Sequence, residues 1–504
     1  MTHWKTFSGL AATSTILMTT TALADVTSAE VWSDWRAYLE TSGYTVNVDS
    51  EAQSGSTLRI SGVSATQTQD NVSMAMNLGE LNFVEQGDGT VSIVMEPQYT
   101  YDIQSAGSDD FAMSLNVSQE NAEIIASGSA DETNYAFNLP SIVVTADELT
   151  ADGDKMTIGL NVTLTDYAGN YLVKSGDVTD FSGTANMGAM TALANIEEPD
   201  GPGTIAVNFN AAGFTGTLAM ASPPMVNYAD EFQAALRDGF AMQSDVTFGA
   251  MDLSIDAAGM DEAFSLNADI ASGSYDITLN KDTMSFSELL NSVNFVVSGA
   301  QIPFPQIQVQ ADELGFNLGM PVSKGTEPSD VAFGTRIVGL TVTDAIWGMF
   351  DPSATLPRDP ASIVLDLTGQ ANWLFDIFDQ EEAMKSQMSG DQPAELHELT
   401  INELLVSAVG AELNGSGSFT FDNADTTTFD GIPRPTGAVD LSLSGANGLL
   451  DRLGQMGLLP VEEAMGFRMM MGMFTVPGEG EDNLNSRIEV NEQGHVSANG
   501  QRLR

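Results

Sequence analysis

Histidine is the commonest general base in enzymes, and this chain carries three, His3, His397 and His495. His3 falls in a leader segment expected to be removed. His397, between Leu396 and Glu398, opens a strand-like run, and His495 sits beside Gly494 in a hairpin-like turn. Both read as surface residues. The sequence has no Gly-x-Ser-x-Gly elbow, no His-Glu-x-x-His zinc helix and no Gly-rich phosphate loop closed by Lys and Ser or Thr. With 69 Asp and Glu, close carboxylate pairs arise by chance, so a pair alone does not mark a glycosidase acid and base. Asp109-Asp110 and Asp152-Gly153-Asp154 offer oxygen ligands that suit calcium, yet neither has the roughly 12-residue loop of alternating acids of an EF-hand. They read as solvated turns. The residues thus give no catalytic, cofactor or metal site, and the expectation is a protein that is not an enzyme.

The least ordinary chemistry is apolar. Near the C-terminus Leu449, Leu450, Leu453 and Met456 mark a short amphipathic helix, and a second begins at Pro460, a residue suited to a first helical turn. Its face Val461, Met465, Met469, Met473 reads as core. The opposite side also carries Phe467, Met470, Met471 and Phe474. These four are the candidate surface for an apolar ligand or a protein partner, because flexible, polarizable Met side chains adapt to varied shapes.

The elements that must position these residues are mostly strands. Apolar residues alternate with polar ones at Met156, Ile158, Leu160, Val162, Leu164; at Phe111, Met113, Leu115, Val117; at Ile205, Val207, Phe209; at Ile363, Leu365, Leu367; and at Val439, Leu441, Leu443. That period buries one face of a strand. Asp88-Gly89, Asp152-Gly153, Gly169-Asn170 and Asp430-Gly431 are pairs that favour hairpin turns. Short spacing between strands predicts a mainly β fold: a long antiparallel meander forming one or two curved sheets, with a few short amphipathic helices packed on or capping them. Thr27-Ser28-Ala29-Glu30 has capping-box spacing, and Val31, Trp32, Trp35, Leu39 line one face of a helix that Gly43 stops. Further helices are expected near 228–240 and 447–474. Laid over each other, Trp32–Tyr44 and Tyr228–Phe240 share Asp34 with Asp230 and Gly43 with Gly239, which is either the trace of two copies of a helix-then-sheet unit or, the favoured reading, a likeness amphipathic helices reach by chance.

Met1 to Lys5, a modestly apolar run from Gly9 to Met18, and Ala22-Leu23-Ala24 before Asp25 form a secretory leader cleaved between Ala24 and Asp25. The expected location is the periplasm. The expected division is 1–24 signal peptide, 25–225 helix plus sheet, and 226–504 a second sheet region. No later run reaches the roughly 18 apolar residues of a membrane-spanning helix. Cysteine is absent although export would permit disulfides, so core packing must hold the fold. A net charge of −52 argues against nucleic acid and anionic bilayer surfaces as partners.

Leu356-Pro357-Arg358-Asp359-Pro360-Ala361, Gly415-Ser416-Gly417 before Phe419 and Phe421, and Ile488-Glu489-Val490-Asn491 through Gly494-His495-Val496 to Asn499-Gly500-Gln501 resemble the domain of unknown function 2125 family, uncharacterised exported proteins mainly of alphaproteobacteria. The likeness extends over most of the mature chain in length and style, and its motifs lie in the second half. It implies no catalytic residues. The sheet-rich, exported character is also similar to that of the AsmA-like envelope proteins, whose long curved sheets are thought to cradle lipid; this is analogy of fold. The function expected is non-enzymatic lipid handling in envelope biogenesis, without cofactor. The alternative is a structural protein that binds another envelope protein through strand edges or the Met-rich segment.

Overall fold

The computed structural model describes residues 25–69, 71–105, 111–151, 153–198, 201–223, 228–259, 263–389 and 392–504. The expected leader with Ala24, the Asp109-Asp110 pair, Asp152 and the expected boundary at 225 lie outside these residues. Strand outweighs helix 64% to 13%, so the meander defines the architecture. Helix α1 (Ser28–Thr41) leads into β1 (Thr45–Asn47) and β2 (Ser50–Ser54), the first edge, which lie end to end along β3 (Thr57–Gln69). β4 (Val72–Glu85) follows, then β5 (Val91–Met95) with β6 (Gln98–Ser105) in one row and β7 (Phe111–Ser118) with β8 (Glu123–Ser129) in the next. Four long strands come next: β9 (Glu132–Ala151), β10 (Asp154–Lys174), β11 (Thr179–Glu197) and β12 (Thr204–Ser222).

Helix α2 (Tyr228–Arg237) interrupts the chain but not the sheet, because β13 (Ala241–Phe248) and β14 (Met251–Ala258) both pair with β12. β15 (Phe264–Leu279), β16 (Thr283–Gly299), β17 (Ile307–Pro321) and β18 (Ser329–Val342) continue it; α3 (Asp344–Phe350) leads to β19 (Ala361–Trp373), and α4 (Gln380–Ser389) to β20 (Ala394–Ala408). β21 (Ala411–Asp422) and β22 (Arg434–Ser444) precede the hairpin of α5 (Ala446–Gln455) and α6 (Val461–Phe474). β23 (Val476–Pro477), β24 (Asn483–Val490), β25 (Val496–Ala498) and β26 (Gln501–Arg502) end the single antiparallel sheet.

Local chemistry accounts for the elements. The Thr27 hydroxyl accepts from Glu30 N–H while Glu30 reaches back to Thr27 N–H at 2.8 Å, the capping box expected for α1. Gly43 closes it at φ 90°, with Gly43 N–H on the Glu40 carbonyl and Tyr44 N–H on that of Leu39. Gly239 and Phe240 end α2 through Leu236 and Ala235 in the same way; this ending is common to many helices. Gly89 and the pair Asp430-Gly431 turn their hairpins at positive φ. The turn expected at Gly169-Asn170 is instead inside β10. Gly169 is there because a Cβ would strike the Thr184 carbonyl and the Phe137 ring on the adjoining strands.

A crease crosses the sheet that simple alternation does not anticipate. In β10 the apolar positions run Ile158, Leu160, Val162, Leu164 and resume one residue out of phase at Tyr167, Tyr171, Val173, with Asp166 at φ 53° between them. β12 slips at Gly213, β16 at Ser292 and β18 at Gly339, all with left-handed φ. These breaks are neighbours: register resumes on both sides of Ser292 and Asp312 (Asn291 opposite Glu313, Val293 opposite Ala311) and of Asp312 and Gly339 (Gln310 opposite Thr341, Glu313 opposite Val338). A one-residue slip moves a regular strand's apolar set to the other face. The left-handed residue turns it back. Under α1 this is directly visible, since Leu58 and Ile60 before Gly62 share one core with Val63 and Ala65 after it.

That core is the closed end of the molecule. Val31 and Trp32 of α1 meet Ile60, Leu81, Phe83, Val91 and Ile93, and Trp32 and Trp35 lie 5.8 and 5.9 Å from the Phe83 ring. Full burial of such side chains contributes about 2 kcal/mol each. Beyond β10 the sheet has little over it. The chain exposes 29091 Å², whereas a compact protein of 53.3 kDa would expose about 18,000 Å². Any 24 residues, even fully extended, expose only about 4,000 Å², so those before Asp25 do not account for the excess.

Candidate functional site

Residues directly opposite across an antiparallel pair share a face, so the register traces the apolar flank strand by strand. Tyr135 stacks on Tyr171 at 4.8 Å, and Phe137 lies 4.9 Å from Tyr167. Burial pushes the Tyr171 hydroxyl up to about 12, so both rings stay neutral and apolar in character. Phe214 and Phe248 follow at 5.8 Å, then Phe286, Phe316 and Phe333 with centroids 6.2 and 6.0 Å apart. Across β18 to β24, Ile337, Ile363, Val406, Leu413, Leu443 and Leu484 stand opposite one another in turn. Glu288, opposite Phe316, interrupts the flank.

Large side chains on this flank stay open to solvent. Phe264, Phe295, Phe316 and Phe333 are 39–41% exposed, and Ile363 is 47% exposed. Monomeric proteins cover contiguous apolar surface of this kind unless something binds there. The opposite flank is polar, with cross-strand bonds such as Asn210 to Asp252 at 2.8 Å and Asn294 to Asp269 at 2.8 Å. It holds a shallow hollow of about 490 Å³ lined by Asn134, Asn170, Thr184, Thr217 and Gln243.

The α5–α6 hairpin projects from the C-terminal part of the sheet. The α5 N-cap is Gly445, which has no side chain, so the Asp482 carboxylate accepts the Asn447 and Gly448 N–H groups instead, at 3.1 and 2.9 Å. Arg468 of α6 donates to Asp451 at 2.6 Å and to Asn447. At the far end of α6 the Phe474 carbonyl accepts both the Ser486 hydroxyl at 2.6 Å and the Asn499 amide at 3.0 Å. Ser486 stands opposite Leu441 on the apolar flank, so α6 ends at that flank's margin.

The face expected to be core is the most exposed part of α6. Val461, Met465, Met469 and Met473 are 58–71% exposed. Among the described residues of the helix, Ala464 is buried, Arg468, Met471 and Phe474 are half-buried, and the rest are exposed. Of the four candidate residues, Phe467 and Met470 are exposed while Met471 and Phe474 are half-buried. They share the hairpin with the solvent-facing Met stripe. The open row Phe264, Phe295, Phe316, Phe333 escaped sequence reading, because alternation marks a face as apolar without saying whether another layer covers it.

Among the described residues, His397 and His495 lie in separate settings. His397 is half-buried rather than a free surface residue: its Nε2 lies 2.5 Å from Oδ1 of the buried Asn372, whose amide donates to the Gly325 carbonyl. His495 is half-buried in its turn, its N–H on Asn491. A small cleft of about 20 Å³ beside α2 holds Arg237, Lys281 and Asp376, with Arg237 and Asp376 paired at 2.9 Å. Among the described residues no three His, Asp or Glu side chains gather to hold a metal ion, and no helix is long and apolar enough to cross a membrane.

Fold and flank together define a non-compact, single-sheet antiparallel protein with one apolar flank open to solvent. Residues 250–500 match the family described as uncharacterized protein conserved in bacteria (DUF2125), and through this segment the chain belongs to that family. The match covers the second half of the chain. No curated protein matches the chain. The family-like motifs have structural work: Asp351, fully buried, accepts the Thr355 and Leu356 N–H groups at 2.9 Å to fold the 351–360 loop, where Arg358 pairs with Asp344. Asn499 and Gly500, both at positive φ, form the turn that delivers the Asn499 amide to α6.

Proposed function

We propose that this protein is a non-enzymatic binder of apolar chains, the acyl chains of lipids in the first place, working outside the cytoplasm after export. The reading rests on one observation: an apolar flank on a single sheet, interrupted at Glu288, with Phe264, Phe295, Phe316 and Phe333 left exposed. Each CH₂ buried there gains about 0.8 kcal/mol, so covering ten of them gains about 8 kcal/mol before ordering costs. Such binding needs no covalent chemistry, no cofactor and no metal. The leader-like N-terminus and the acidic, cysteine-free composition suit an exported protein.

The test is to recover the protein from the periplasm of a cell that exports it, extract it with organic solvent and analyse the extract by mass spectrometry. Stoichiometric lipid is the expected result. A ligand-free preparation that also refuses added phospholipid would remove the proposal. A stoichiometric protein cross-link in cells, with no lipid, would replace it with an interaction role through the sheet edges or α6.

A further inference from the structure

Several exposed apolar side chains outside the flank collect at one end of the sheet, others such as Met384, Met388 and Ile432 lying on the connections at the opposite end. Because the strands are antiparallel, the connections 343–360, 409–410 and 445–482 all leave at the same end. The first carries α3, with Met349 70% exposed and Phe350 also exposed. The last carries α6. Between them a Cβ on Gly410 would touch both Pro357 and Arg452, so the two connections adjoin through the 409–410 turn.

Down the axis of α6, at about 100° per residue, Ala464 and Arg468 face the protein. Val461, Met465, Met469, Met473, Met470 and Phe467 spread over roughly 240° of the circumference. After the first turn, with Glu462 and Glu463, this arc holds no charge. A groove on a protein partner accepts a stripe of roughly 100°, read as anchors at i, i+3, i+4 and i+7. An arc more than twice as wide fits no single groove, whereas the acyl region of a bilayer leaflet flows around the helix. The charges say which bilayer. Arg468 is paired with Asp451, the Arg452 Nη1 is buried, and the chain as a whole carries −52, so nothing here attracts anionic headgroups.

We infer that α6, with the tip of α3, seats in the surface of a bilayer of net-neutral lipids, and that the apolar flank receives or delivers its chain there. This rests on the apolar-chain reading, and the bonds from Ser486 and Asn499 to Phe474 place the seat at the flank's margin.

The chain has no cysteine, so Met469→Cys accepts a polarity-sensitive dye at one site, and Ser442→Cys labels the polar flank as control. With phosphatidylcholine vesicles the dye at 469 should shift to the blue and brighten, while that at 442 should not change. Adding Met465→Asp to a chain labelled at Met473→Cys should weaken vesicle binding at least about tenfold. No response at 469 in a protein that still takes up a fluorescent fatty acid would overturn the seat and leave the flank reading intact. Vesicle binding without fatty-acid uptake would do the reverse. A dye shift that follows protein concentration without vesicles would assign α6 to a second copy of the chain, and tighter binding to anionic than to neutral vesicles would overturn the charge argument.

Discussion

Asp482 caps a helix from 35 residues beyond Asn447, whose N–H it accepts. Burial raises its carboxyl, but the Gly448 and Asn447 N–H groups and the nearby Arg468 charge hold it below the usual carboxylate range. Asp482→Ala should cost about 1 kcal/mol, seen as a lower denaturant midpoint and faster amide exchange in α5. A depressed folded pKa contributes stability that is complete above the unfolded value and is lost as pH falls through the folded one. The gap between wild type and variant should therefore close below about pH 4. Asp276 has the opposite sign: burial, the hydrogen bond its protonated carboxyl donates to Asp245, and the charge on Asp245 directly across the strand pair raise it. Its penalty grows as pH rises through that raised pKa. Asp276→Asn should raise the melting temperature at pH 7 by on the order of 1 °C, and the gain should vanish in acid. The cap of α1 was legible because Thr27 and Glu30 are neighbours in sequence; that of α5 was not, because its partner arrives from another loop.

At the scale of elements, the strands were readable wherever alternation ran undisturbed, as at Ile205–Phe209 and Val439–Leu443. The crease was not. A one-residue slip at Asp166 or Gly213 looks like a loop to a period-two reading, and the dipeptide Gly169-Asn170 suggested a turn where β10 runs straight through. If left-handed residues are what turn the apolar set back onto one flank, substituting them should be costly. Gly339 is at φ 68°, and a Cβ there would meet the Asp312 carboxylate, so Gly339→Ala should lose about 1–3 kcal/mol in urea unfolding. Gly466 in α6 has open space around it, and Gly466→Ala should instead gain up to about 1 kcal/mol of helix stability. The solvent exposure of α6 was also hidden from sequence, since an all-round apolar helix reads as buried until the neighbouring layer proves to be missing.

Taken whole, the molecule closes a core at α1 and leaves its apolar flank open over the long strands beyond. Small-angle scattering should return a radius of gyration well above the roughly 23 Å of a compact domain of this length. The open flank is the central claim, and its most direct test is the titration of a fluorescent long-chain fatty acid into the purified protein. Phe316→Asp with Phe333→Asp puts charge on the flank at positions already exposed, and Ser287→Asp with Asn317→Asp puts the same charge on the opposite flank across one strand pair. Saturable uptake that falls at least about tenfold in the first variant and is unchanged in the second is the predicted result. Uptake lost equally in both, or no uptake by the wild-type chain, would contradict it.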